Sequence, residues 1–145
     1  MTLSDAFADL LVTAAKVGPA PSPGPGEWGA EQILAHLTVV NAVTIGAVAS
    51  VGAGFPATYD MRAAHDPWTL ARVNSRTSLA RLRDQGQALC ALSSSLSPSE
   101  LDTLIPALLI SNGEILVDQP LPLRDLLTGL ADVELPGHRA QLLAL

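Results

Sequence analysis

The chain has 145 residues, of which 48% are hydrophobic, 3% aromatic and 15% charged, with a formal net charge of −6 and a pI near 4.8. That length is enough for one compact domain with a real core, so residues 1–145 are read as a single domain. The acidic balance disfavours phosphate backbones and anionic lipid surfaces as partners, which excludes nucleic-acid binding as an expectation.

A core poor in aromatic residues must be built from Leu, Val, Ile and Ala, which favours closely packed helices. The charged fraction lies well below the roughly 25% of ordinary soluble domains, and a buried homodimer interface would account for it. Cys90 is the single cysteine, so no intrachain disulfide forms; together with an N-terminus lacking a basic, apolar leader pattern, this suggests a cytoplasmic protein.

The first helix is expected to start with Ser4 as cap, to carry Phe7, Leu10, Leu11, Ala14 and Ala15 at helical spacing, and to end at Gly18-Pro19. Gly18 to Gly26 holds four prolines and reads as an extended connector. The second helix begins near Trp28, with Ile33, Leu37, Val40, Thr44, Ala47 and Val51 as its inward stripe and His36 beside that stripe. Leu37 to Tyr59 contains no charged residue, but it carries Thr38, Asn41, Thr44, Ser50, Gly52, Gly54 and Pro56 and lacks flanking basic residues. A buried helix is therefore expected there and no membrane span.

A loop runs from Gly52 to His65. Asp66-Pro67 then starts a long third helix that reaches about Leu96, with Leu79, Leu82, Leu89 and Leu96 on one face and Arg72, Arg76 and Arg83 on another. Ser97-Pro98-Ser99-Glu100 starts a short helical turn. Ser111-Asn112-Gly113-Glu114, flanked by apolar residues between Ile105 and Val117, predicts a tight β-hairpin, because Asn-Gly suits a type I′ turn. Leu121 to Leu145 reads as the closing helix, with Pro122 near its start. Leu123, Leu127, Leu130, Glu134, His138, Gln141 and Leu145 share one stripe.

Glu134 and His138 on that stripe would be costly to bury unless something satisfies them, and a metal ion satisfies both at once. Their four-residue spacing places them one turn apart, and His36 on a neighbouring helix would complete a His2Glu donor set with an open position for water or substrate. Zinc suits such a set, with nickel, manganese and iron as alternatives. Pro136-Gly137 lies between the last two candidates, and proline inside a helix predicts a kink or break there. His65 is a secondary candidate as general base or substitute ligand. Arg72, Arg76 and Arg83 are candidates to bind an anionic substrate, and Cys90 is expected to be buried and inert.

The order of a short first helix, a connector to Trp28, a helix carrying Glu-Gln-Ile-Leu-Ala-His36-Leu, a long third helix and a last helix ending Glu134-x-x-x-His138-x-x-Gln141 resembles the DinB/YfiT-like superfamily. The resemblance implies an all-α four-helix bundle, here with a small β-hairpin before the last helix, usually dimeric, with His36, Glu134 and His138 as metal ligands. Glutamate at position 134 is similar to the mycothiol-dependent maleylpyruvate isomerase branch. The resemblance therefore implies an enzyme dependent on a divalent metal and a low-molecular-weight thiol of the mycothiol or bacillithiol type, a transferase or isomerase acting on a small molecule. The alternative expectation is a non-catalytic bundle that has lost its metal and serves as a dimeric binding or structural protein.

Overall fold

The computed structural model describes residues 1–74 and 78–145. Helix α1 spans Leu3–Val17 and α2 spans Ala30–Gly52; strand β1, Tyr59–Asp60, and a 3-10 turn, Ala63–His65, lead to α3, Pro67–Asn74, and α4, Leu79–Ser94. After a short α5, Pro98–Leu101, come β2, Leu104–Ser111, and β3, Glu114–Pro122. The chain closes with α6, Leu123–Gly129, a π-helical turn, Leu130–Glu134, and α7, Leu135–Leu143. The fold is mostly helical, but it includes a three-stranded sheet of order β1-β2-β3, so it is not purely all-α as expected.

Helix α1 is capped by Thr2, whose hydroxyl accepts the Asp5 N–H at 3.0 Å, two residues earlier than the expected Ser4 cap. It ends at Gly18, where a φ of 65° stops the helix. Helix α2 starts at Ala30, with the Gly29 N–H donating to Gln32 Oε1 at 2.8 Å. All six residues of its anticipated stripe, Ile33, Leu37, Val40, Thr44, Ala47 and Val51, are buried. By length and composition α2 could cross a membrane, yet in this fold it is the central helix, packed against α3, α4, α7 and β1. Its polar residues are tied inward: Thr44 Oγ1 meets the Tyr59 hydroxyl at 2.9 Å, and Gln85 Nε2 donates to the Thr38 carbonyl at 3.1 Å.

The long third helix is instead two helices. Asp66 does cap α3, its Oδ2 accepting from Thr69 N and Oγ1. Ser78, however, is extended (φ −142°, ψ 158°) and caps a new helix by accepting the Arg81 N–H, a choice favoured by a hydroxyl that competes with the helical backbone for its donors. Arg76, assigned above to that continuous helix, lies outside the described residues. Leu82 and Leu89 are fully buried, and α4 packs on α1 and α2.

The hairpin turn forms where expected, with Asn112 at φ 51° and Gly113 at φ 78°, the positive pair a type I′ turn needs. Its strands are longer than anticipated, and Leu121 and Pro122 belong to β3, paired with Ile105 and Leu104, so the closing helix begins only at Leu123. The loop from Gly52 to His65 supplies β1, which runs parallel to β2 in the register Tyr59 to Ala107 and Asp60 to Leu108. This short pairing has a consequence for the site. It holds the 3-10 turn Ala63–His65 over the N-terminal half of α2, where Ala64 is fully buried.

Candidate metal centre

Three donors converge from two ends of the chain. His36 is 2% exposed, and its Nδ1 lies 2.6 Å from the Ala64 carbonyl oxygen. A carbonyl only accepts, so Nδ1 carries the proton, and in the neutral ring Nε2 presents a lone pair. That Nε2 stands 3.9 Å from Glu134 Oε2. On the closing helix, His138 Nδ1 lies 2.9 Å from Gln141 Oε1 and His138 Nε2 lies 3.1 Å from the same Glu134 oxygen.

Neutral His138 with its proton on Nδ1 would face the Glu134 carboxylate lone pair to lone pair. A second proton on His138, the Nε2–H tautomer with the Gln141 amide turned to donate, or a cation among the donors resolves that arrangement. Without a metal, a proton on His138 Nε2 does so. The hydrogen bond from His138, and after it the neighbouring His36 imidazole, hold the Glu134 carboxyl well below the usual carboxylate range, outweighing burial. Burial pushes the His138 imidazole down, but its bonds to Glu134 and Gln141 together raise it above its ordinary value.

The donor atoms also suit an ion. Ligands about 2.1 Å from a tetrahedral zinc stand about 3.4 Å apart. His36 Nε2, Glu134 Oε2 and His138 Nε2 are separated by 3.9 and 3.1 Å along the chain of contacts, and the three side chains' donors lie within 4.8 Å of one another. His36 already donates its other nitrogen to a carbonyl oxygen and His138 Nδ1 is hydrogen-bonded to the Gln141 amide, the kind of contact that fixes the tautomer of metal-ligating histidines. The residues present therefore fit a divalent ion, with two nitrogens and one carboxylate as ligands.

The proline does not break the closing helix. Pro136 has no N–H for the Asp132 carbonyl, and its ring would clash there in a regular α-helix. The turn directly ahead of it widens instead to a π-helix, in which the Leu135 N–H donates to the Leu130 carbonyl. Glu134 closes this wide turn and His138 follows one turn later, so both side chains reach the same point.

Residues beyond the three ligand candidates complete the surroundings. The Trp28 indole packs at 4.9 Å from the His36 ring, and the His36 ring lies 4.9 Å from His65 and 4.7 Å from His138, centroid to centroid. A cavity of about 500 Å³ opens beside the triad, walled by Glu27, Trp28, His65, Gln141 and the β-turn at Asn112 and Gly113. His65 thus reaches the cavity but is not among the mutually close donors. Burial and the neighbouring His36 lower its pKa, which leaves the ring neutral at pH 7.

Arg72 lies 4.7 Å over the Trp68 ring and Arg83 pairs with Asp84 at 3.1 Å; neither lines this cavity. Cys90 is half-buried and burial raises its thiol pKa, in keeping with an inert cysteine. The Ala64 carbonyl and the hairpin turn were not anticipated as parts of the site. A backbone acceptor has no residue signature, and only the hairpin's position relative to α7 reveals the turn's role. Comparison with family models, curated proteins and solved structures returned no match.

Proposed function

We propose that this protein is a divalent-metal-dependent enzyme acting on a small molecule, with His36, Glu134 and His138 holding the ion in a DinB-like four-helix arrangement. The convergence of these three donors beside a cavity of about 500 Å³ carries the reading. Two histidines and one carboxylate suit zinc, with nickel, manganese and iron as competitors. Three protein ligands would leave an open coordination position for water or substrate, the property that separates catalytic from structural sites. A bound ion would lower the pKa of water or of a low-molecular-weight thiol of the mycothiol or bacillithiol type, making either a nucleophile at neutral pH.

The remaining work falls to the protein's own groups. Ala64 and Gln141 hold the two imidazoles with Nε2 directed at Glu134. Trp28 packs against the ring of the buried His36. His65, on the cavity wall with its pKa lowered by burial, is placed to accept a proton from a substrate, the role of a general base. The chemistry is that of a thiol-dependent transferase or isomerase, supported by the resemblance through His36, Glu134 and His138. A homodimer in the cytoplasm fits the low charged fraction and the exposed Val12, Phe55 and Leu116.

Metal analysis of the purified full chain, followed by titration of the chelator-treated protein with zinc, nickel and manganese, tests the reading. One ion per chain, lost in His36→Ala and in Glu134→Gln, is the expected result. No uptake of any of the three ions would overturn it in favour of a non-catalytic protein.

A further inference from the structure

The charge of the cavity wall restricts what can enter it. Among the described residues lining the cavity there is no lysine or arginine. Three arginines within about ten residues of the walls are engaged elsewhere: Arg62 pairs with Asp60 at 2.6 Å, Arg124 with Asp102 at 3.1 Å, and Arg139 Nε donates to Thr13 Oγ1 at 2.8 Å. A carboxylate or phosphate substrate would therefore find no lysine or arginine here to replace its water, and the protonated imidazole of His138 already faces Glu134. The wall does offer the exposed Glu27, whose carboxylate has no hydrogen bond or ion pair among the described residues, and the Trp28 indole lines the same cavity. The turn at Ser111, Asn112 and Gly113 contributes uncharged polar groups to the same cavity.

A free carboxylate beside an indole is a pairing that recognises ammonium groups. The carboxylate accepts the N–H donors, and the negative face of the ring attracts the charge. We infer that the cavity takes a small molecule bearing a protonated amine, with Glu27 and Trp28 as the pair that recognises it. This rests on the reading of the same cavity as a substrate site beside the metal. It adds the substrate's charge class: the amine binds at the Glu27 and Trp28 wall, and the reacting end of the molecule lies toward His36, Glu134 and His138. The overall charge of −6 favours the approach of the same class of ligand.

The test uses the full chain with Trp68→Phe, an exposed position, so that Trp28 is the only fluorescent indole. Metal-free protein is titrated with propylammonium, propanol and propionate, in this background and with His138→Gln added, which removes any attraction of the carboxylate for the ion or for a protonated His138. Propylammonium is expected to perturb Trp28 saturably and to bind about tenfold more tightly than propionate, and Glu27→Gln is expected to reduce it to the level of propanol. Propionate binding as tightly as propylammonium, or a propylammonium affinity unchanged in Glu27→Gln, would overturn the inference.

A second arm separates this from the metal reading. Cobalt-loaded protein is mixed with cysteamine or mercaptopropionate, and the thiolate-to-cobalt absorption is followed. Tighter binding of cysteamine, lost in Glu27→Gln, supports both readings. An absorption band for neither thiol counts against the thiol-and-metal reading alone, and the metal-free order of affinities then decides the amine assignment by itself.

Discussion

His36 Nδ1 donates to the Ala64 carbonyl at 2.6 Å while its Nε2 lies 3.9 Å from Glu134 Oε2, so one buried imidazole joins the 3-10 turn after β1 to the closing helix. The tautomer of His36 is thus set by a backbone group that β1 holds in place through its pairing with β2. Losing the ring has two separable effects. His36→Ala should abolish metal uptake and, by leaving the Ala64 carbonyl buried without a donor, should also cost about 1 to 3 kcal/mol of stability in the metal-free protein. Chemical denaturation with and without chelator reads both; unchanged metal-free stability would show that the Ala64 bond contributes nothing.

Gln141 acts on the ion only through His138. Gln141→Leu removes the acceptor for His138 Nδ1 and should weaken metal binding by about 10- to 100-fold, whereas Gln141→Glu, which restores an acceptor, should retain it. Competition against a colorimetric chelator measures the affinities. Equal affinity in all three proteins would mean that His138 is oriented by helix packing alone.

The metal-free protein should be most stable in a window set by the same pair. Glu134 is depressed below its ordinary 4.5, so its contribution is present above that value and is lost as pH falls toward the folded pKa. His138 is raised above 6.5, so its contribution is present below that value and is lost as pH rises through the folded pKa. The two overlap between about pH 4.5 and 6.5. Melting temperatures of metal-free wild type and Glu134→Gln should therefore differ most inside that window, and a constant difference from pH 4 to 9 would contradict the pairing.

Tyr59 is the chain's one tyrosine, and burial pushes its hydroxyl up to about 12, against the Thr44 hydrogen bond that lowers it. Its phenolate absorbance should appear about two pH units later in the folded protein than in denaturant. Because the folded pKa is raised, the stability it contributes is intact below pH 10 and is lost between 10 and about 12. Coincident titrations, folded and unfolded, would place Tyr59 in contact with water.

Gly86 on α4 faces the ring of Phe7 on α1: a Cβ there would stand 2.9 Å from Phe7 Cγ, in a ring that is itself buried. Gly86→Ala should gain up to about 1 kcal/mol of helix propensity yet lose more through overpacking, for a net destabilisation of about 1 to 2 kcal/mol. Adding Phe7→Leu should recover part of that loss. A stabilised Gly86→Ala would mean that α1 moves away at little cost.

Local chemistry made much of this protein legible before any tertiary contact was known. The α2 stripe from Ile33 to Val51 follows from a helical period, the Asn112-Gly113 turn from the need for two positive φ angles, and the Asp66 cap from a carboxylate ahead of Pro67. The nearness of Glu134 and His138 is likewise a property of one helix. These are interactions between residues a few positions apart, and the side chains that make them declare it.

Other features depend on groups far apart in sequence or on the backbone itself. β1 is two residues long, too short for any alternation, and exists because β2 offers it an edge. Pro136 announced a disturbance, but whether the helix breaks or widens into a π-turn depends on what holds its two halves, and α1 packs against both the π-turn and α7. His36 could be placed on an inward face, yet only the tertiary structure sets its Nε2 beside Glu134. That position comes from three contacts outside α2 at once, with Ala64, Trp28 and the closing helix, and the sequence pattern of one helix carries no record of them.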